Sequence, residues 1–288
     1  MTSSLAAILT AYRPDAGFGD RFRELAQSCR ALIVVDNTPG GHRFGELPAN
    51  TTVLQDGVNK GLGRALNLGI ARATELGCDA VVLFDQDSSP PSSLIDALQA
   101  ALSRAGSRAV VAPVHIDDQT GRDTAVLSSF TTPTAPLKQV SCLATSGMLF
   151  RLGETPLEAF SEELFLDLVD FEWCWRMGRA GWSFYRVTNV PMAHRLGEGQ
   201  RRFAGLTYHL PAPYRHYFQF RDTLRVVPRS YVPLYPKLRL LCILPLKLIA
   251  YPWLMDRGLE RLGWMLRGVR DALLGRLGVG AAGPKLNA

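Results

Sequence analysis

The run Ala80-Val-Val-Leu-Phe84 stops at two carboxylates, Asp85 and Asp87, with Ser88, Ser89, Pro90 and Pro91 behind them. Five strand-favouring apolar residues without alternation describe a strand covered on both faces, the habit of parallel sheets with helices above and below. Such a strand delivers its carboxylates at the carboxyl end, where open α/β sheets bind ligands. Residues two apart in extended chain point the same way, so the spacing predicts Asp85 and Asp87 facing one pocket, where they can share a divalent cation with nucleotide phosphates. Oxygen donors of this kind suit Mg²⁺ or Mn²⁺ better than zinc. Taken alone, the same residues also fit a turn with two solvated aspartates.

The rest of the first half repeats the pattern. Leu5 to Thr10 is an apolar run ended by Tyr12-Arg13-Pro14-Asp15, and Phe22, Leu25, Ala26 and Cys29 follow at helical spacing. Leu32 to Val35 ends in Asp36-Asn37, and Thr51 to Leu54 leads through Asn59-Lys60-Gly61-Leu62-Gly63 into a helix over Arg64 to Leu76. Leu94 to Leu102 reads as a helix and Ala109 to Val114 as a strand. Strands alternating with helices predict an α/β chain with a mostly parallel, doubly wound sheet, which sets Arg13, Asp36, Asn59, Gly61, Asp85 and Asp87 along one ligand-binding edge. Gly61-Leu62-Gly63 is not the dinucleotide fingerprint, because residue 66 is Leu. Taken alone, the fragment is read first as structural turn glycines without a ligand. The polar stretch from Asp117 to Lys138 is expected to be loop on the acceptor side of a cleft, and Ser146-Gly147 to be a glycine within a strand spanning Val140 to Phe150, marking a close approach or a bulge.

A second cluster of acids runs from Glu162 to Arg176. A helix beginning near Val169 would put Phe171, Cys174 and Trp175 on one face with Asp167 and Asp170 at its amino end. The helix dipole favours carboxylates there, so capping explains part of the acidity. Asp167, Asp170 and Glu172 among aromatic residues also make a general-base site, where desolvation would bring a carboxylate toward working pH. His194 closes a short strand and is a candidate third cation ligand. Tyr214, Tyr217 and Arg221 share one side of a helix and offer an Arg to phosphate oxygens.

Charge divides the chain. Between Arg229 and Ala288 ten Lys or Arg stand against three Asp or Glu, a net of +7, which exceeds the +6 of the whole 288 residues. A body over 1–228 and a basic tail over 229–288 follow, the tail calling for an acidic partner such as nucleic acid or an anionic membrane. Leu238 to Met255 is apolar but broken by Arg239, Pro245, Lys247 and Pro252, too interrupted to span a bilayer. Beyond it Leu259, Leu262, Leu266, Val269 and Leu273 fall on one helical face with Arg257, Arg261, Arg267 and Arg270 off it, the pattern of a segment lying in a membrane interface, or of a helix covering the body or a dimer contact. Five cysteines without a Cys-x-x-Cys pair read as reduced core residues of a cytosolic protein, and the amino terminus has no signal-peptide pattern.

With Val-Asp-Asn at 35–37, Asn-Lys-Gly-Leu-Gly at 59–63, Asp-Gln-Asp-Ser at 85–88, Ser-Gly at 146–147, Asp-Leu-Val-Asp-Phe-Glu-Trp-Cys at 167–174, His-Arg-Leu-Gly at 194–197 and Tyr-Phe-Gln-Phe-Arg at 217–221, the chain resembles the family 2 glycosyltransferases of GT-A fold. Within them it resembles the bacterial rhamnosyltransferases, nearest in pattern to those adding the second rhamnose of a rhamnolipid. The resemblance covers about Leu5 to Arg225 and implies a GT-A domain with a C-terminal helical extension. It also implies an inverting transfer of L-rhamnose from dTDP-L-rhamnose to a glycolipid hydroxyl, with mono-rhamnolipid favoured over lipid-linked O-antigen or cell-wall saccharides. Asp36 would bind the pyrimidine, Arg13, Asn59 and Gly61 would shape the nucleotide pocket, and Asp85 would lie near ribose and diphosphate. Asp87 and His194 would hold Mg²⁺ or Mn²⁺, Asp170 would be the base with Glu172 assisting, and Arg221 would neutralise the released dTDP. The enzyme would sit peripherally on the cytoplasmic face of the inner membrane, docked by its tail and without a nucleic acid partner. The base is preceded by Val169 where the family at large often has Glu. A sugar-1-phosphate nucleotidylyltransferase lacks support because Leu5 to Asp15 carries no Gly-rich loop, and a catalytically silent membrane-binding protein is the non-enzyme alternative.

Overall fold

The computed structural model describes residues 4–117, 136–194, 200–203, 206–209 and 211–280. β1 (Leu5–Ala11), α1 (Phe18–Arg21), α2 (Arg23–Gln27), β2 (Ala31–Asp36), β3 (Thr51–Gln55), α3 (Leu62–Glu75), β4 (Ala80–Asp85), α4 (Leu94–Ala105) and β5 (Ala109–Asp117) form the first half. β6 (Leu137–Val140), β7 (Leu149–Arg151), α5 (Val169–Arg179), β8 (Ser183–His194), β9 (Gln200–Phe203), β10 (Leu206–His209) and α6 (Arg215–Val226) complete the α/β body, and α7 (Leu234–Leu254) and α8 (Gly258–Leu273) follow. The eight-stranded sheet has the order β3-β2-β1-β4-β7-β5-β8-β6. β3, β2, β1 and β4 pair in parallel, β5 pairs in parallel with β8, and β7 and β6 run against their neighbours. The expected central sheet flanked by helices is therefore present, mostly parallel and with a helical extension.

Alternation along the buried strands builds two cores. Ile8, Val81 and Leu83 face a layer with Ala65 and Leu66 of α3 and Trp173 and Met177 of α5. Leu9, Val82 and Phe84 face Phe22, Leu94 and Leu98 on the other side. Every residue of β1 except Thr10 and every residue of β4 before Asp85 is buried, so both faces of these strands are covered, as their apolar runs require.

The segment around Gly147 departs from the expected strand. Ser146-Gly147 form a turn between β6 and β7, with Gly147 at φ +80 and its missing Cβ position 2.5 Å from the Pro113 ring. A side chain there meets a positive-φ penalty and a ring together, so the glycine serves close packing. The segment 118–135, expected to form the acceptor-side loop, lies outside the described residues. Four cysteines are buried, as core cysteines should be, but Cys242 on α7 is exposed.

Candidate active site

Asp85 is the last residue of β4 and lies in register with Thr10 of β1. Alternation sends it to the same side as Val81 and Leu83, the side of α5. Asp87 does not continue that alternation. The Ser88 N–H donates to the Asp85 carbonyl at 3.1 Å, so Gln86 and Asp87 sit in a turn and Asp87 is exposed at its tip. The turn is held from three directions. The Tyr12 N–H donates to Gln86 Oε1 at 2.7 Å, Arg21 donates through Nε and Nη2 to the Gln86 carbonyl at 3.2 and 3.0 Å, and the buried Ser88 hydroxyl bonds that of Ser146. His115 Nε2 approaches the Ser146 carbonyl at 2.7 Å and extends the brace into β5.

α5 opposes this turn. Its amino end follows Leu168, held at φ +66, and the Phe171 N–H donates to Asp170 Oδ1 at 2.8 Å, leaving Oδ2 of Asp170 as the remaining carboxylate oxygen. Burial pushes the Asp170 carboxyl up to about 7, and the negative charges of Asp85 and Asp167 push it the same way against that backbone hydrogen bond. Asp170 is thus a recessed carboxylate beside Asp85 that takes a proton near neutrality, the property required of a general base. Asp167 receives Arg215 Nη2 at 2.8 Å on Oδ1, while its buried Oδ2 has no hydrogen-bond partner.

The residues expected to frame a nucleotide lie at the carboxyl ends of β1, β2 and β3 and in the loops that follow them. Asp36 is 2% exposed, and its two oxygens accept the Thr38 and His42 N–H groups at 2.9 and 2.7 Å. Its carboxylate shapes the loop after β2, and the Arg13 N–H joins that loop by donating to Thr38 Oγ1 at 2.8 Å. Asn59 Oδ1 accepts the Gly61 N–H at 3.0 Å, and Asn37 Nδ2 donates to the Gly61 carbonyl at 3.1 Å. Gly61 has φ +87, and a Cβ on it would stand 2.7 Å from the Phe165 carbonyl, which accepts the Leu62 N–H at 2.8 Å. This contact joins the loop after β3 to the chain leading into Asp170. We expect Gly61→Ala to destabilise the fold by about 1–3 kcal/mol and to weaken donor binding, because both segments must part. Thermal unfolding and titration with a nucleoside diphosphate measure the two effects, and an unchanged variant would disprove the coupling.

Two candidates stand elsewhere. Glu172, two residues and so about 200° round the helix from Asp170, is buried and accepts Arg176 Nε at 2.9 Å and the Tyr231 hydroxyl at 2.5 Å. It ties α5 to the turn after α6 and does not share the cleft with Asp170. Arg221 is fully buried, donating to Asp222 Oδ1 at 2.6 Å and to the Gly278 carbonyl at 2.5 Å, with its guanidinium against Tyr217 and Phe218. Tyr217 and Arg221 do share a helix side, but that side faces α8 and the chain end. The Asp167–Arg215 pair, which sequence separation hides, is what reaches the α5 amino end from α6.

For a cation, the donors near the Asp-Gln-Asp turn are the carboxylate oxygens of Asp85 and Asp87. Ser89 bridges Ala193 near the end of β8, so the backbone of His194 lies beside the turn that carries Asp87. The His194 side chain lies outside the described residues, as do residues 195–199. Among the described residues no three His, Cys, Asp or Glu side chains converge. This donor set fits a hard divalent cation that takes its remaining ligands from a diphosphate.

No family model matches the chain. It is 24% identical over 252 residues to the dTDP-rhamnosyl transferase RfbF of Shigella flexneri, spanning 83% of this chain and 85% of that protein. S. aureus TarS in complex with UDP-GlcNAc superposes with a TM-score of 0.56 at 12% identity, covering 93% of this chain and 81% of that one. GalNAc-T7 with UDP, GalNAc and Mn²⁺ gives 0.52 at 10% identity, covering 96% of this chain and 58% of that one. These structures establish the fold as GT-A. With the sequence relative, they make the chain a glycosyltransferase.

Proposed function

We propose that this glycosyltransferase moves L-rhamnose from dTDP-L-rhamnose to a hydroxyl of a glycolipid, mono-rhamnolipid foremost, with inversion at the anomeric carbon. The observation that carries the reading is Asp170, a recessed carboxylate held near neutrality beside Asp85 at the ligand edge of a GT-A sheet. The likeness to a dTDP-rhamnosyl transferase supports the donor. The acceptor oxygen attacks the anomeric carbon as the bond from that carbon to the diphosphate breaks. The acceptor proton passes to Asp170 Oδ2, and dTDP departs with the electron pair. One displacement inverts configuration and leaves no glycosyl-enzyme.

The loops of Arg13, Asp36, Asn59 and Gly61 frame the nucleotide, with Asp85 near ribose and diphosphate. Asp87 and His194 would hold Mg²⁺ or Mn²⁺, which supplies positive charge against the diphosphate as it leaves. Glu172 and Arg221 are positioning residues that hold α5 and α6 from behind. The acceptor is met at the cytoplasmic face of the inner membrane, with the tail as the membrane-side element. The same apolar tail would serve a lipid-linked O-antigen or cell-wall intermediate, which is the second acceptor to try.

The test is turnover of dTDP-L-rhamnose with Mg²⁺ and mono-rhamnolipid, following dTDP release and product mass. A rhamnose-sized gain in acceptor mass supports donor and acceptor together. dTDP binding without acceptor-dependent release rejects mono-rhamnolipid and points to lipid-linked saccharides, and absence of dTDP binding rejects the donor.

A further inference from the structure

Apolar side chains at the surface are not spread evenly over this molecule. Among the described residues, thirteen of the fifteen large hydrophobic side chains that stand exposed lie between Leu234 and Leu277. At about 100° per residue, Leu234, Leu238, Leu241, Leu246, Ile249 and Trp253 span roughly 140° of α7, and no charged residue falls within that arc. The opposite side of α7 packs on the body, with Leu244 against Phe220 and Met265, and with Lys247 donating to Gln219 Oε1 at 2.8 Å. An apolar arc of this width calls for an apolar neighbour, and the described structure supplies apolar partners only on the other side of the helix.

α8 presents a second ridge of the same kind. Its inner face is Arg261, Trp264, Met265, Gly268 and Asp271. Leu259, Leu266 and Leu273 form the ridge opposite, 75%, 53% and 82% exposed. The leucines share a face, as their spacing predicts, but that face points outward. Arg261 lies off the leucine ridge, as expected, and is buried on the inner face, donating to the Pro211 carbonyl at 2.7 Å and to Asp256. Arg257, Arg267 and Arg270 stay exposed beside the leucine ridge.

We propose that the outer faces of α7 and α8 together dock on an anionic phospholipid bilayer, both helices lying in the plane of the interface. No described helix is long and apolar enough to cross a membrane, so an apolar medium must meet α7 side-on. Charge chooses between a lipid surface and a second copy of the chain. A two-fold contact through these faces would set one tail of net +7 against another, whereas anionic headgroups attract that net charge, which remains after Arg257 pairs with Glu260 and Arg270 with Asp271. The surface is coupled to the cleft, because α6 packs on α8 through Tyr217 and Trp264, and Arg215 and Arg229 bind Asp167 and Glu163 just ahead of Asp170. The inference deepens the membrane reading given above but rests on the tail surface alone, so lipid binding and sugar transfer fail separately.

Vesicle co-sedimentation of the full chain without donor or acceptor tests it, comparing phosphatidylcholine with mixtures containing about one-third phosphatidylglycerol. We expect binding at least about tenfold stronger on the anionic vesicles, weakened by salt. Leu246→Glu with Ile249→Glu and Trp253→Glu, or Leu259→Glu with Leu266→Glu and Leu273→Glu, should each lower it by about tenfold or more at unchanged thermal stability, since these side chains are exposed. Turnover on a short-chain, water-soluble acceptor reads the cleft independently. A folded wild type that ignores anionic vesicles, or variants that bind as well as wild type, would overturn the proposal. A dimer in sedimentation equilibrium that the same substitutions dissolve would overturn it in favour of a second copy.

Discussion

Asp170→Asn is expected to lower kcat by about 10²–10⁴-fold while dTDP binding is retained, measured by acceptor-dependent dTDP release and by titration calorimetry. The substitution keeps the shape and the hydrogen bond that Oδ1 receives from the Phe171 N–H. It removes only the ability to take a proton. With the carboxyl pushed up to about 7 by burial and by Asp85 and Asp167, kcat/KM for wild type should fall as pH drops below about 7, and this limb should vanish in the variant. Stability provides an independent check. Asp170 binds its proton more tightly folded than unfolded, so it contributes stability fully below its ordinary value of 3.8, and that contribution is lost as pH rises toward about 7. At pH 8 the ionised group costs on the order of 1–4 kcal/mol, which the asparagine relieves. The variant should therefore melt no lower than wild type. Full turnover in Asp170→Asn excludes this residue as the base, and a lowered melting temperature would mean that lost activity reports unfolding.

The strands were legible because burial on both faces leaves a continuous apolar run, and each such run ended where a ligand edge requires loops. Val140 to Phe150 read as one strand because β6 and β7, four and three residues long, give no periodic signal of their own, so the antiparallel insertion of β7 between β4 and β5 and the place of β6 at the edge beyond β8 came only from the structure. The Asp-Gln-Asp stretch was read at the correct strand end but with the wrong local geometry. Alternation holds to Asp85, and the turn begins at Gln86. Glu172 and Arg221 are expected in the cleft from their chemistry and from the family resemblance. Their partners Tyr231 and Gly278 stand 59 and 57 residues downstream, a distance across which sequence pattern carries no information. α7 looked broken at Pro245 and Pro252, yet it runs through both as one helix. Pro245 lies on the exposed side near Leu241, whose carbonyl loses its helical donor at the surface rather than in the core.

Asp87→Asn should be the second severe lesion, and of a different kind. In the proposed site Asp87 gives a full negative charge to a divalent cation, and asparagine leaves only a carbonyl dipole at the same place. Cation stabilisation of a departing diphosphate is worth several kcal/mol, so kcat at fixed Mg²⁺ should fall by about 10²–10³-fold. Unlike the Asp170 variant, this one should be rescued in part by raising the metal concentration, and its Mg²⁺ half-saturation should shift upward. Mn²⁺ binding followed by electron paramagnetic resonance, with and without dTDP, reads the ligand directly and needs no turnover. Fold stability should change little, since Asp87 is exposed at the tip of a turn held by Tyr12, Arg21, Ser88 and Ser146. Those braces hold the turn before any ligand arrives, so the carboxylate would be in position without waiting for the cation to order it. An Asp87→Asn enzyme with wild-type turnover and an unchanged metal requirement would remove Asp87 from the metal site and leave Asp85 as the remaining carboxylate of the pair.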